Sequence, residues 1–148
     1  MCSKIHVGTQ DQVINTAVGL QALASNTTAS HNTAVGVNAL LANTTGPQNT
    51  AIGSAALDAN TTGGYNVAVG RSALHSNTTA NYNIGMGFGA LATNTTGVSN
   101  VGIGTYALTS STTSSANTAV GNASLQSNTT GAGNTGIGAS ALLLNTTG

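Results

Sequence analysis

The sequence predicts an all-β protein, a parallel β-solenoid or β-roll built from coils of 17 residues. The first observation is a motif, Asn-Thr-Ala-Val-Gly at residues 32–36, that returns every 17 residues without insertion or deletion. A fixed period of this size is typical of repeat proteins whose units pack only on their neighbours. The second observation is composition, because Gly, Asn and Thr are poor helix formers and no 3.6-residue period accompanies them. Together they favour stacked strands and turns.

The repeat divides the chain at residue 15. Residues 15–148 hold eight copies of the unit, the last one incomplete, and each copy begins at an asparagine: Asn15, Asn32, Asn49, Asn66, Asn83, Asn100, Asn117 and Asn134. Residues 1–14 are interpreted as a degenerate N-terminal capping coil, since Lys4-Ile5-His6-Val7-Gly8 imitates the motif but lies only 11 residues before Asn15. A shortened, more polar coil would protect an exposed strand edge.

Numbering each unit from its Asn shows which positions are constrained. Positions 2–4 form a short strand, and position 5 is an invariant glycine that ends it, as expected where the backbone needs a positive φ or a close approach. Position 9 is an invariant leucine that we expect inside the coil. These structural repeat positions are Gly19, Gly36, Gly53, Gly70, Gly87, Gly104, Gly121 and Gly138, and Leu23, Leu40, Leu57, Leu74, Leu91, Leu108, Leu125 and Leu142.

The remaining positions complete the coil. Positions 12–15, Asn-Thr-Thr-Gly in most copies, form a polar corner in which Asn and Gly favour turns and the Thr hydroxyls bond to backbone. The Asn-Thr-Thr triplets also match the pattern of N-glycosylation sites, but we interpret them as structural because they recur at a fixed position of the repeat. Positions 6, 7, 10, 11, 16 and 17 vary freely and are expected to face solvent.

The predicted strand has two different faces. Positions 2 and 4 carry Thr, Val, Ile or Met, whereas position 3 is always Ala or Gly. We interpret the strand as buried on both sides. The large residues would fill the coil, and the Ala/Gly face would pack on sister chains. Because each coil holds few large apolar residues, a single solenoid gains from such burial, and three chains around an axis form the natural closed assembly. On this interpretation Ala68→Leu disrupts assembly more than Arg71→Leu does.

Composition argues against several functional classes. The only charged residues are Lys4, Arg71, Asp11 and Asp58, so the chain lacks the clustered Lys and Arg that nucleic acids require. No apolar run approaches the ~20 residues of a transmembrane helix, so we expect no membrane insertion. With two acidic residues and no Glu, acid–base catalysis has little to use. We therefore predict no enzyme, no catalytic residues, no cofactor and no metal site.

Two pairs of side chains stand out on the predicted surface. Tyr65 and Tyr82 occupy position 17 of successive coils and form a possible surface contact for a host-surface glycan or protein, although a corner that simply accepts large residues is the simpler explanation. Asp58 and His75 occupy position 10 of successive coils. We interpret them as a solvated pair, because no third member of a catalytic triad accompanies them.

The repeat Asn-Thr-Ala-Val-Gly-x-x-Ala-Leu-x-x-Asn-Thr-Thr-Gly-x-x, over residues 15–148, resembles the repeats of phage tail-fibre-like proteins. It is more distantly similar to the head repeats of trimeric autotransporter adhesins, and residues 15–19 and 49–53 match their strand motif best. The resemblance implies a left-handed, trimeric β-roll. It also implies an extracellular location, as a shaft or adhesive head on a cell surface or virion surface.

Three functions remain open. The first is a structural fibre or adhesin segment that self-assembles as a homotrimer without catalysis. The second is a subunit of a homopolymeric extracellular filament, in which coils stack end to end. The third is an ice-binding β-solenoid, which regular threonine ladders favour. The third is weakened because the two corner threonines are adjacent, as at Thr44 and Thr45, and would point in opposite directions along a strand.

Overall fold

The computed structural model describes residues 4–7 and 14–148, and within these residues nine short strands form one sheet. The strands are β1 Lys4–Val7, β2 Thr16–Gly19, β3 Thr33–Val35, β4 Thr50–Ile52, β5 Val67–Val69, β6 Ile84–Met86, β7 Val101–Ile103, β8 Thr118–Val120 and β9 Thr135–Ile137. Their order in the sheet is their order in the chain. The described residues contain no helix.

Strands β2 to β9 pair in parallel, and each pairing joins equal positions of successive coils. Thr50 lies opposite Val67 and Ala51 opposite Ala68, which is an offset of one repeat. Backbone bonds between coils continue outside the strands, as where the amide of Thr61 donates to the carbonyl of Thr78. Each 17-residue unit is therefore one turn of the solenoid, numbered here as coil one (15–31) to coil eight (134–148). The prediction of an all-β parallel β-solenoid is confirmed.

The apolar part of the solenoid interior is narrow and is formed by the residues at positions 3, 8 and 9 of each coil. The position 9 leucines of coils two to seven are fully buried, and Leu23 in the first coil is partly buried. Small residues at positions 3 and 8, such as Ala68 and Ala73, lie beside them and are also fully buried. In the last coil Leu142 is exposed.

The orientation of the strands differs from our expectation. Ala51 and Ala68 at position 3 are fully inaccessible, and a Cβ on Gly85 at the same position would lie 3.2 Å from Cγ of Leu74. The Ala/Gly face therefore lines the interior, and our prediction that it packs on sister chains is wrong. The larger residues of positions 2 and 4 point outward. Because the leucine already fills the interior, only a side chain as small as Ala fits opposite it.

The glycine at position 5 is required both by conformation and by space. Its φ lies between 116° and 138° in every coil, a region that side chains disfavour. In Gly70 an added Cβ would lie 2.6 Å from the carbonyl oxygen of Gly87 in the next coil. Stacked coils approach so closely here that no side chain fits.

Three further positions of the coil adopt left-handed backbone conformations without requiring glycine. Positions 7, 9 and 17 have φ near +50° to +62° in coil three, at Ala55, Leu57 and Tyr65. Non-glycine residues rarely adopt this region, at a cost of about 1–2 kcal/mol each. The amides of these residues nevertheless donate to the neighbouring coil, for example Leu57 to Ala73. The hydrogen bonds between coils therefore offset the free-energy cost of the left-handed conformations.

Strand β1 runs antiparallel to β2, with Lys4 opposite Gly19 and Val7 opposite Thr16. A shortened copy of the coil would have run parallel to β2. The chain between the two strands is shorter than one coil, and antiparallel strands need only a short connection whereas parallel strands need a long one. The strand pairs along the edge of β2 that lies opposite β3, and the capping role of residues 1–14 stays a prediction. The rest of the predicted cap, residues 1–3 and 8–13, lies outside the described residues.

Candidate interaction surfaces

The asparagines at position 1 form a ladder of hydrogen bonds inside the solenoid. Asn66 illustrates the pattern, because its Nδ2 donates to the carbonyl of Ala80 at 2.9 Å and its Oδ1 accepts the backbone N–H of Asn83 at 2.9 Å. The same bonds recur from coil to coil, and these side chains are buried. The ladder lies at the turn before each strand, and its side-chain amide groups are hydrogen-bonded to the backbone of the same chain.

A second ladder of asparagines runs along position 12. Nδ2 of Asn60 donates to Oδ1 of Asn43 and to the carbonyl of Gly63, both at 2.8 Å. Asn60 is fully buried, as are Asn77 and Asn94 above it. An oligosaccharide cannot be attached to such an amide in the folded solenoid, so the triplets in these coils serve the structure.

The two corner threonines differ in exposure. At position 13 the hydroxyl of Thr44 donates to the carbonyl of Thr61 at 3.0 Å, and that of Thr61 to Thr78 at 3.1 Å. The next residue is exposed in every coil, as at Thr45 and Thr62. The central corners therefore present one exposed rank of threonine, with the second rank half-buried against the coil.

The outer face of the parallel sheet is an exposed surface that runs through all eight coils. We call it the outer strand face and define it as positions 2 and 4 of every coil: Thr16, Val18, Thr33, Val35, Thr50, Ile52, Val67, Val69, Ile84, Met86, Val101, Ile103, Thr118, Val120, Thr135 and Ile137. These side chains are half-buried or exposed, whereas each intervening residue is buried. Ile52 retains 41% of its surface and Met86 39%. The face carries no charged residue.

Apolar character on this face is highest in the central coils. Position 2 is threonine in coils one to three, seven and eight, but it is Val67, Ile84 and Val101 in coils four to six. Single exposed apolar residues are ordinary, whereas a contiguous patch marks an interaction site. The three central coils form such a patch, with threonine-bearing coils on either side along the solenoid axis.

All four aromatic residues of the chain border the central coils. Tyr65 and Tyr82 precede the strands of coils four and five, and Phe88 and Tyr106 follow those of coils five and six. The Phe88 and Tyr106 rings meet edge to face with centroids 5.1 Å apart, and the guanidinium carbon of Arg71 lies 5.7 Å from the centre of the Phe88 ring. The aromatic residues remain at least 40% exposed.

The predicted pairing of Tyr65 and Tyr82 appears in the structure as a stack. Their ring centroids are 5.1 Å apart with an interplanar angle of 18°. Each ring therefore covers one face of the other, while Tyr65 keeps 44% and Tyr82 59% of its surface exposed. The stack leaves the second face of each ring outside the pair, and the contact with a host-surface glycan or protein stays a prediction.

The Asp58–His75 pair also forms, with Nδ1 of His75 2.6 Å from Oδ1 of Asp58. Burial raises the pKa of Asp58 above its usual value, although the nearby His75 and the backbone N–H of Ala59 act in the opposite direction. The imidazole is half-exposed. The pair bridges coils three and four at the surface.

Within residues 4–7 and 14–148 no three His, Cys, Asp or Glu side chains come together as a metal site. The same part of the chain holds no helix long and apolar enough to cross a bilayer. The fold and its ladders define the chain as a β-solenoid repeat protein. No family model, curated protein or solved structure matches it, so the resemblance to fibre and adhesin repeats depends on the repeat motif alone.

Proposed function

We propose that this β-solenoid is a structural segment of an extracellular fibre or adhesin, assembled as a homotrimer on a cell or virion surface. The observation that carries the proposal is the construction of the solenoid. Its interior is filled by its own leucine, alanine and asparagine side chains, while the variable positions face outward. Such a scaffold has a constant cross-section and can be extended by whole coils. A spacer or display element needs these properties.

Self-assembly is supported by the apolar surface that remains uncovered. The outer strand face and its aromatic neighbours leave Ile52, Met86, Phe88 and Ile103 each more than a third exposed. A chain with four charged residues has little else to keep such a surface solvated. Burial against sister chains would remove this surface from water and reinforce a solenoid with a narrow core.

End-to-end filament growth is the alternative form of assembly. Coil-to-coil stacking would need the outer edge of β2 to accept a strand from another molecule. That edge is paired with β1 in the structure, from Lys4 to Val7. Growth at this end therefore requires β1 to leave, and we favour lateral association.

The test combines solution mass by light scattering with electron microscopy of the purified chain. Particles with the mass of three chains and the length of one solenoid are expected. Long filaments would refute the trimer and support end-to-end assembly instead. A monomer at micromolar concentration would refute self-assembly. Thermal hysteresis measured on the same sample would identify an ice-binding protein instead, and we expect none.

A further inference from the structure

We infer that copies of this chain pack on one another through the outer strand face, in register, with coils four to six at the centre of the interface. The inference rests on the proposed self-assembly and names the surface responsible. From the sequence we expected the Ala/Gly face to form the contact between chains. That face is buried inside the coil, as at Ala51 and Ala68, so the outer strand face takes its place.

The distribution of side chains along this face matches the anatomy of a protein interface. Interfaces have an apolar centre that is rich in aromatic residues and methionine and poor in charged residues, and a polar rim. Val67, Ile84 and Val101 supply the centre, while threonine occupies the same position in the coils on both sides. Met86 lies in the middle of the same patch. The fold does not demand this pattern, because threonine and valine support the same strand in different coils.

The spacing of the face identifies the occupant as another copy of the chain. Its side chains repeat at the strand separation, about 4.8 Å, over the length of strands β2 to β9, or about 34 Å. A second solenoid of the same sequence presents the same spacing over the same length, so that side chains can interdigitate in every coil. The absence of charge on the face also suits a partner that is itself uncharged there.

Area indicates that the aromatic residues belong to the interface. Strands of three residues are about 10 Å wide, so the face covers roughly 340 Å² in projection. A standard interface removes about 800 Å² of accessible surface from each partner. The remaining area would come from two sources. Side chains that project from the face have more accessible surface than its projection, and the interface would also include the flanking rings of Tyr65, Tyr82, Phe88 and Tyr106. Their position beside the strands of the central coils then follows from their place in the interface.

The alignment of coils between neighbouring copies follows if the copies form a closed, symmetric assembly. Copies related by a rotation axis parallel to the solenoid axis have identical coils at the same height. Coils four to six of each chain then meet one another, which brings apolar residues onto apolar residues. A shift of a few coils would instead place Ile84 opposite threonine and leave apolar residues exposed.

The experiment replaces Val67, Ile84 and Val101 together with threonine. Threonine occupies this position in five other coils, so the substituted chain is expected to fold. The control variant Leu20→Thr/Val37→Thr removes exposed apolar side chains from position 6 of coils one and two, away from the patch. Both are compared with the unaltered chain by light scattering over a dilution series, with circular dichroism to verify folding.

The triple variant is expected to dissociate at concentrations at least about tenfold higher than the unaltered chain, and the control at unchanged concentration. Equal dissociation of the two variants, or no change in the triple variant, would overturn the inference while leaving self-assembly intact. A monomeric unaltered chain would overturn both. In a Cys2→Ser background, Met86→Cys is also expected to form a disulfide with its own counterpart in a neighbouring copy, and failure to do so under oxidation would exclude the in-register arrangement.

Discussion

Adjacent alanines in coil three provide a test of the left-handed backbone, because glycine should have opposite effects at the two sites. Ala55 has φ of 55°, and a left-handed conformation costs a residue with a Cβ about 1–2 kcal/mol. Glycine avoids that cost but loses about 0.4–1 kcal/mol through the greater freedom of the unfolded chain. Ala55→Gly should therefore increase the free energy of unfolding by about 0.5–1 kcal/mol.

Ala56 is the matched control. It is fully buried and is not in the left-handed region, so Ala56→Gly loses a buried methyl group worth about 0.8 kcal/mol and the same unfolded-state entropy. We expect a decrease of about 1–2 kcal/mol. The difference between the variants, about 2 kcal/mol, would shift the urea midpoint measurably, since m-values are about 1–3 kcal/mol per M.

Urea titrations of both variants, followed by circular dichroism at one protein concentration, compare the two directly. Coincidence of a second probe with the dichroism signal tests whether unfolding is two-state, as repeat arrays can lose cooperativity. If Ala55→Gly destabilises the solenoid as much as Ala56→Gly does, the strain assigned to position 7 does not exist.

Three further predictions concern the ladders and the titrating pair. Asn66→Ala should lower the free energy of unfolding by about 1–3 kcal/mol, because it leaves the buried N–H of Asn83 without a partner and removes one of the two donors to the carbonyl of Ala80. Asn122→Ala at an exposed position 6 should change it by less than about 0.5 kcal/mol, and equal urea midpoints would contradict the ladder. Gly87→Ala should disrupt stacking, since its Cβ would lie 2.6 Å from the carbonyl of the next coil, and hydrogen exchange should show the loss of protection greatest around coils five and six. The raised pKa of Asp58 means that the folded state holds its proton more tightly than the unfolded state does. This group's contribution to stability therefore falls as pH rises from the ordinary aspartate pKa of 3.8 through the raised pKa. Asp58→Asn should therefore reduce that fall in the thermal midpoint between acid and neutral pH, and an unchanged pH profile would show that Asp58 is not its source.

Much of the fold follows from eight copies of one unit. Comparing the copies shows which positions tolerate variation, and the invariant glycine at position 5, the leucine at position 9 and the asparagine at position 1 all lie where coils contact one another. The left-handed residues gave no such signal. Position 7 is Gln, Asn, Ala, Ser, Gly or Tyr in different coils, so its side chains do not reveal its backbone conformation.

The candidate interface was only half visible in the sequence. The alternation of large and small residues in each strand correctly indicated two distinct faces, but their orientation was assigned the wrong way round. Alternation alone cannot decide this, because a one-residue shift in register exchanges the two faces of a strand. The position of Leu74 opposite the small residue decides it, and that contact joins residues distant along the chain.

By itself, therefore, the sequence determined the period, the parallel register and the close approach of the glycines, because each depends on identical residues recurring at one spacing. Only the tertiary structure decided which strand face is exposed, which residues adopt left-handed conformations, and that β1 runs antiparallel on the edge of β2. These features depend on how space is shared inside one narrow coil and on the chain's path at its first turn. The residue types that recur at each position of the repeat indicate neither the packing inside the coil nor the path of the chain at its first turn.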